Sequence, residues 1–150
     1  MIILYTFIKE SYIDKYRSFV GGIIFMVMNE SVENYLETIL VLKERKGLVR
    51  SIDIANEMNY SKPSISVAMK NLRLNGYINV DNSGFITLTE SGMEIASNIY
   101  DRHLILRKWL EFLGIDPEIA EQDACKIEHT LSKETYTALR KHILDEMGEI

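Results

Sequence analysis

From residue 31 onward, stretches with a helical apolar spacing alternate with short turn-forming breaks. In SVENYLETILVLKERKG, Val32, Tyr35, Leu36, Ile39 and Leu42 recur in steps of three and four, which predicts one buried helix face. Ser31 is the expected N-cap, and Gly47, following the basic turn Lys43–Lys46, the expected stop. Asn34 and Glu37 lie three apart on one flank of that stripe. In SIDIANEMNYSKPSISVAMKNLRLNGY, Ser51 is expected to cap a short helix ending at Met58, with a tight turn at Asn59-Tyr60. Ser61 then caps a second helix, with Pro63 in its first turn, where a missing N–H is harmless. Ile65, Ala68, Met69 and Leu72 form its apolar face, and Gly76 ends it. Two short helices on a three-residue turn make a helix-turn-helix.

The period then switches from helical to alternating. Ile78 and Val80 match Ile86 and Leu88 across Asp81-Asn82-Ser83-Gly84, a hairpin pattern, and a helix-turn-helix followed by a hairpin is a winged helix. Thr89 is expected to cap a long helix reaching about Leu113, where Gly114 stops it. On it, positions 99, 103, 106, 110 and 113 have the spacing of a seam that packs on another helix, and His103 occupies one of them. Asp116-Pro117 opens a further helix over 117–131, and Ser132 caps a last one through Leu144. The expected class is mainly α: a winged helix-turn-helix of three helices and a β-hairpin wing over 28–91, then an all-helical domain over 92–150.

Residues 1–27 differ in character. Their apolar runs, MIILYTFI and VGGIIFMVM, are eight or nine residues long, far short of the roughly 20 that span a bilayer. They are read as an extension in which Gly21-Gly22 translate a ribosome-binding sequence and the start is Met26 or Met28. The alternative is an arm packed on the domain.

Composition changes the picture in one respect. The 150 residues are 47% apolar and 26% charged with a single cysteine, which describes a one-core or two-core soluble chain in a reducing cytoplasm. The net charge of −5 argues against a nucleic-acid partner, but 43–73 carries a local +4 and the remainder −9. That basic block coincides with the helix-turn-helix. On its second helix Pro63, Ser64, Ser66, Val67 and Lys70 point away from the apolar face, with Ser61 at the cap a further candidate DNA contact; small, hydroxylated side chains let a helix seat deeply in a major groove. Lys62, Lys70, Arg73 and the Lys43–Lys46 cluster are the candidate phosphate contacts. The bland alternative, a solvated surface helix, accounts less well for basic residues, helix-turn-helix and wing together.

A second chemistry lies in DACKIEHTLS, which holds the only cysteine and one of three histidines. On the helix 117–131, Ala120, Ala124, Ile127 and Leu131 form the buried stripe, and Glu121, Cys125, Glu128 and His129 fall on the adjoining face. A thiol, two carboxylates and an imidazole match the donor set of a divalent transition metal. Singly, each has a duller reading: an acidic edge, a small core thiol, a half-buried ring. A cysteine–histidine nucleophile lacks an oxyanion-hole loop, and the spacing does not suit structural zinc. An enzyme is therefore not expected.

ENYLETILVL, the helix-turn-helix, YDRHLILRKWLEFLGI and DACKIEHTLS together resemble the diphtheria toxin repressor and manganese transport regulator family of metal-dependent repressors, over about residues 28–142. The resemblance is to the short, two-domain form. It implies metal sites built from His103, Cys125, Glu128 and His129, with Glu37 and Asn34 from the first helix. The Asn34 position is aspartate in the manganese-sensing branch and methionine in the iron-sensing branch. Cys125 is typical of the iron branch, where the manganese branch has a carboxylate. Glu121 stands where the iron branch has histidine, and Arg107 where it has an acidic ligand, so one of two sites is expected to be altered or missing. The function implied is a cytoplasmic, dimeric repressor of metal-uptake genes, activated by Fe2+ or Mn2+ and bound to a palindromic operator in double-stranded DNA. The rival is a winged-helix regulator responding to an organic ligand or to thiol oxidation at Cys125.

Overall fold

The computed structural model describes residues 30–148, so the expectation for 1–27 falls outside the described residues. Helix α1 is already running at residue 30 and continues to 46; Ser31 therefore lies inside it and does not cap it. Leu36, Ile39 and Leu42 are buried as the stripe predicts. Gly47 leaves the helix in the left-handed region, φ 80°, its N–H bonded to Lys43 O at 2.8 Å.

Helix α2, Ser51–Met58, starts one residue earlier than its serine suggested. Arg50 is the cap, and the Asp53 carboxylate accepts its backbone N–H at 2.8 Å. The reason lies in the sheet: Arg50 is extended and bridges Phe85, while Val49 O accepts the Ile86 N–H at 2.8 Å. A two-residue edge segment carries no alternation to read, so this third piece of the wing was not predicted. Asn59, at φ 53°, turns the chain into α3, Lys62–Leu74, where Ser61 Oγ accepts the Ser64 N–H at 3.3 Å. Helix α3 buries Ile65, Met69 and Leu72 and leaves its other face to solvent. Strands β1, Ile78–Val80, and β2, Ile86–Leu88, pair antiparallel with Ile78 opposite Leu88 and Val80 opposite Ile86. Asp81 Oδ1 closes the turn by accepting the N–H groups of Ser83 and Phe85 at 2.8 and 2.9 Å.

Thr89 caps α4, Glu90–Phe112, and its hydroxyl donates to Gly76 O at 2.7 Å, fastening the helix to the end of α3. Gly92 makes that junction sterically feasible, since a Cβ there would lie 2.0 Å from Tyr77 O. Along the seam Ile99, His103 and Leu106 are buried, whereas Leu113 is 56% exposed, so the seam opens to solvent at its far end. Helix α5, Pro117–Ile127, packs along α4. Helix α6, Lys133–Met147, is capped by Ser132 and packs on α4 through Ile105, Tyr136 and Ile143. Helix α5 ends at Ile127 and not at 131. Glu128 keeps helical backbone angles with its N–H on Ala124 O at 3.0 Å, and its side chain is fully buried in line with Ala120 and Ala124 as the turn at 128–130 begins. Arg102 holds this turn, its Nη1 donating to the carbonyls of Glu128 and Leu131 at 3.3 Å each. From Glu33 onward the two halves named from the sequence belong to one compact unit.

Candidate metal centre and nucleic-acid surface

Three elements converge on Glu128. Helix α1 brings Glu33, Asn34 and Glu37, α4 brings His103 and Arg107, and α5 with its terminal turn brings Glu121, Cys125, Glu128 and His129. Glu128 Oε2 lies 2.9 Å from His103 Nδ1. Its Oε1 is 3.2 Å from His129 Nε2, but no aligned donor reaches it, and it is a buried oxygen without a hydrogen-bond partner. His129 Nδ1 faces Glu33 Oε2 at 2.9 Å and Nε2 faces Asn34 Oδ1 at 2.8 Å. On the other side, His103 Nε2 meets Glu121 Oε1 at 3.1 Å. Glu37, Glu128 and His129 each present one ligand atom within 4.8 Å of the other two.

These neighbours shift the titrations in ways that agree with the geometry. Hydrogen bonding to Glu128 outweighs burial and raises His103 to about 9. At His129 burial opposes the charged ring, yet the carboxylates of Glu128 and Glu33 raise it to about 9. Glu37 is raised to about 7 by burial and by the negative charge of Glu128. Burial alone would raise Glu128, but the two imidazoles hold it below its ordinary range. Such a cluster is kept together by protons between acceptors. An orphaned buried oxygen facing an imidazole nitrogen, a second carboxylate and an amide oxygen fits a divalent cation.

The structure thus brings together Asn34, Glu37, Glu128 and His129, with His103 joined through Glu128. Cys125 is exposed and lines a cavity of about 370 Å³ shared with Glu37, His103, Arg107 and Glu121. Glu121 is exposed and divided between His103 and Arg107. Sequence reasoning missed Glu33 and Arg102. Glu33 stands one turn before Glu37 on the same flank, the only signal available to find it.

On α3, Ser61, Lys62, Pro63, Ser64, Ser66, Val67, Lys70 and Arg73 are all exposed, Val67 by 61%. Lys62, Lys70 and Arg73 make no ion pair among the described residues. Within the Lys43–Lys46 cluster, however, Arg45 pairs with Glu57 at 2.5 Å and Lys46 with Asp53, so those two cations tie α1 to α2.

Among the described residues no helix is long and apolar enough to cross a membrane. The iron dependent repressor N-terminal DNA-binding domain matches residues 27–84, and the iron dependent repressor metal binding and dimerisation domain matches 89–145. An HTH-type transcriptional regulator of Methanocaldococcus jannaschii is 38% identical over 115 residues, 75% of this chain and 92% of the relative. The transcriptional regulator MntR of Escherichia coli O157:H7 is 34% identical over 111 residues, 74% of this chain and 72% of the relative. Among solved structures, the manganese regulator SloR superposes with a TM-score of 0.65 at 29% identity over 75% of this chain. The metal-dependent transcriptional regulator MtsR does so with a TM-score of 0.69 at 29% identity over 76%. The chain spans about half the length of each of these two structures, 53%. These matches, with the wing and the donor cluster, carry a DNA-binding domain, a dimerisation domain and a divalent-metal cofactor for which Fe2+ or Mn2+ fits. The chain belongs to the diphtheria toxin repressor and manganese transport regulator family of metal-dependent transcriptional regulators, which are not enzymes.

Proposed function

We propose that Fe2+ or Mn2+ joins the DNA-binding half to the helical half and so switches on operator binding. In this reading the protein is a cytoplasmic repressor of metal-uptake genes that acts as a homodimer on a palindromic operator. The observation that carries it is the origin of the donors. Asn34 and Glu37 belong to α1, Glu128 and His129 to the end of α5, and the buried Glu128 Oε1 lacks a partner. An ion on those four residues takes oxygen and imidazole donors, a set suited to either metal, and the structural neighbour SloR is described as a manganese regulator. His103 bears on the ion through Glu128, while Cys125 and Glu121 stand on the cavity side. Metal-free, the carboxylates of Glu37 and Glu128 oppose each other unless protons intervene. A cation removes that opposition and shifts an existing equilibrium toward one spacing of the recognition helices.

The exposed face of α3 from its cap Ser61 to Arg73 enters the major groove in this reading, with Ser64, Ser66 and Val67 toward base edges. Phe112, Leu113 and Ile119 leave an apolar patch, 60%, 56% and 53% exposed, that suits a two-fold contact with a second copy. The test is metal analysis of protein purified without chelator, followed by a gel shift on operator DNA with and without Mn2+ or Fe2+. Chelator is expected to abolish the shift and either ion to restore it. A shift indifferent to both would sink the reading. A shift that responds to peroxide alone would favour thiol oxidation at Cys125.

A further inference from the structure

The cavity side of the cluster is already occupied by protein cations. Arg107 Nη1 contacts Glu121 Oε2 at 3.0 Å, and Glu121 Oε1 contacts His103 Nε2 at 3.1 Å. His103 Nδ1 in turn contacts Glu128 Oε2 at 2.9 Å. The result is an alternating chain of guanidinium, carboxylate, imidazole and carboxylate, running from the cavity rim to the buried centre. Arg107 is anchored a second time by Nε to Glu111 Oε1 at 2.9 Å, one turn along α4.

Resting on the metal-activated reading above, we propose that Arg107 is a built-in second cation which limits each subunit to one divalent ion. The His129 side of Glu128 has an oxygen with no partner; the His103 side has none to offer. Glu37 and Cys125 also line the cavity side, but a second ion there would still meet Glu121 and the outer nitrogen of His103. Those atoms face each other, and the other oxygen of Glu121 is held by a guanidinium that cannot lose its charge. An ion placed there would meet that fixed positive charge within one side-chain length. Arg107 thus sets stoichiometry, and through Glu121 it holds His103 against Glu128, so it is a positioning residue for the single ion.

The experiment is an anaerobic Mn2+ titration of the full chain, stripped with chelator, read by bound metal per subunit and by the Mn2+ EPR line shape. Wild type is expected to bind one ion per subunit with an isolated-ion spectrum. Arg107→Glu supplies a carboxylate in place of the cation and is expected to bind two, with a dipole-broadened spectrum. Arg107→Gln, which removes the fixed charge, is expected to bind a second ion that wild type does not. Arg107 is half-exposed, and thermal unfolding checks that both variants fold. Two ions in wild type, or one in both variants, overturns the inference while leaving the metal-activated reading intact. If Arg107→Glu fails to fold, the Arg107→Gln titration decides alone, one ion overturning the proposal. No ion in folded wild type overturns the functional reading and this inference with it.

Discussion

His129 is engaged on both ring nitrogens, by Glu33 at 2.9 Å and by Asn34 at 2.8 Å. A carboxylate on the nitrogen that does not face the ion fixes the ring's tautomer and plane, and its loss lowers metal affinity by roughly 10–100-fold. Glu33→Gln is expected to weaken Mn2+ binding by about that factor without loosening the metal-free fold. Calorimetric titration checks it, and unchanged affinity would remove Glu33 from the site. One more glutamate on a polar helix flank reads as solvated, and only the meeting of α1 with a residue 96 positions away singles it out. That Cys125, Glu128 and His129 share one short helix was legible; the structure gathers Glu128 and His129 with Glu37 and leaves Cys125 exposed on the cavity wall. That Glu128 is the buried centre was not legible, because it continues the stripe of Ala120 and Ala124 at a position where an apolar residue is the usual occupant. The same residues set a pH dependence. His103 and His129 rise from an ordinary 6.5 to about 9, and Glu37 from 4.5 to about 7. A raised folded-state value means the folded chain binds the proton more tightly, so that stability is full below the unfolded value and is lost as pH climbs through the folded one. The lowered Glu128 works oppositely, contributing above its unfolded value. Metal-free protein should therefore lose thermal stability between about pH 6.5 and 9, and the gain in Tm on adding Mn2+ should widen over that window as the ion displaces fewer protons. Scanning calorimetry at three pH values checks this; a metal increment independent of pH would contradict it.

At the scale of elements, capping chemistry made the boundaries readable. Ser61, Thr89 and Ser132 each accept a backbone N–H three residues on, and the helices behind them begin where those residues predict. Ser31 and Ser51 misled for a physical reason. Serine caps only when its own backbone leaves the helix, and here residue 31 follows an already helical residue 30 while the extended bridge at Arg50 takes the capping role. The junction of α4 with the wing turns on Gly92, which no local pattern marks as a contact point. Its Cβ position is filled by the Tyr77 carbonyl at 2.0 Å, and backbone cannot swing aside as a side chain would. Gly92→Ala gains a little helix propensity but forces α4 off its seat, a net loss of about 1–3 kcal/mol as for other overpacked sites. Urea unfolding measures it. A stabilised variant would show that α4 can shift without cost, and with it that the wing and the long helix are not rigidly joined at this point.

Across the whole molecule, charge and donors are divided between the two halves, and each division makes a prediction. The basic block was legible as an exposed cationic surface, but part of it is neutralised within the chain, because Arg45 and Lys46 are bound to acidic residues of α2. That leaves Lys43 on α1 with Lys62, Lys70 and Arg73 on each recognition helix, about eight phosphate contacts per dimer and a log K against log[salt] slope near −7. A slope shallower than about −2 would place the phosphate-binding surface elsewhere. The donor division is the more consequential. Glu37 rides on α1 with the DNA-binding half, whereas His103, Glu128 and His129 ride on α4 and α5. An ion that touches both can stabilise one arrangement of the halves only by its differential affinity for it, a coupling of typically about 1–3 kcal/mol or roughly 5–150-fold in operator affinity. Glu37→Ala removes the charged donor that crosses between the halves and leaves the Asn34 amide and the α5 pair in place. It should keep dimerisation and weak nonspecific DNA binding, retain weakened metal binding, and lose most of the metal-dependent gain in operator affinity. His103→Ala, which strips Glu128 of its supporting hydrogen bond, should lose both metal affinity and activation. Reciprocity supplies an internal check, because operator DNA must tighten Mn2+ binding by the same factor that Mn2+ tightens operator binding. Fluorescence anisotropy on operator DNA across a Mn2+ series, with each variant, measures both sides of that linkage. If Glu37→Ala is activated by Mn2+ as strongly as wild type, the ion does not act by joining the halves, and Glu128 and His129 serve only the stability of the helical domain.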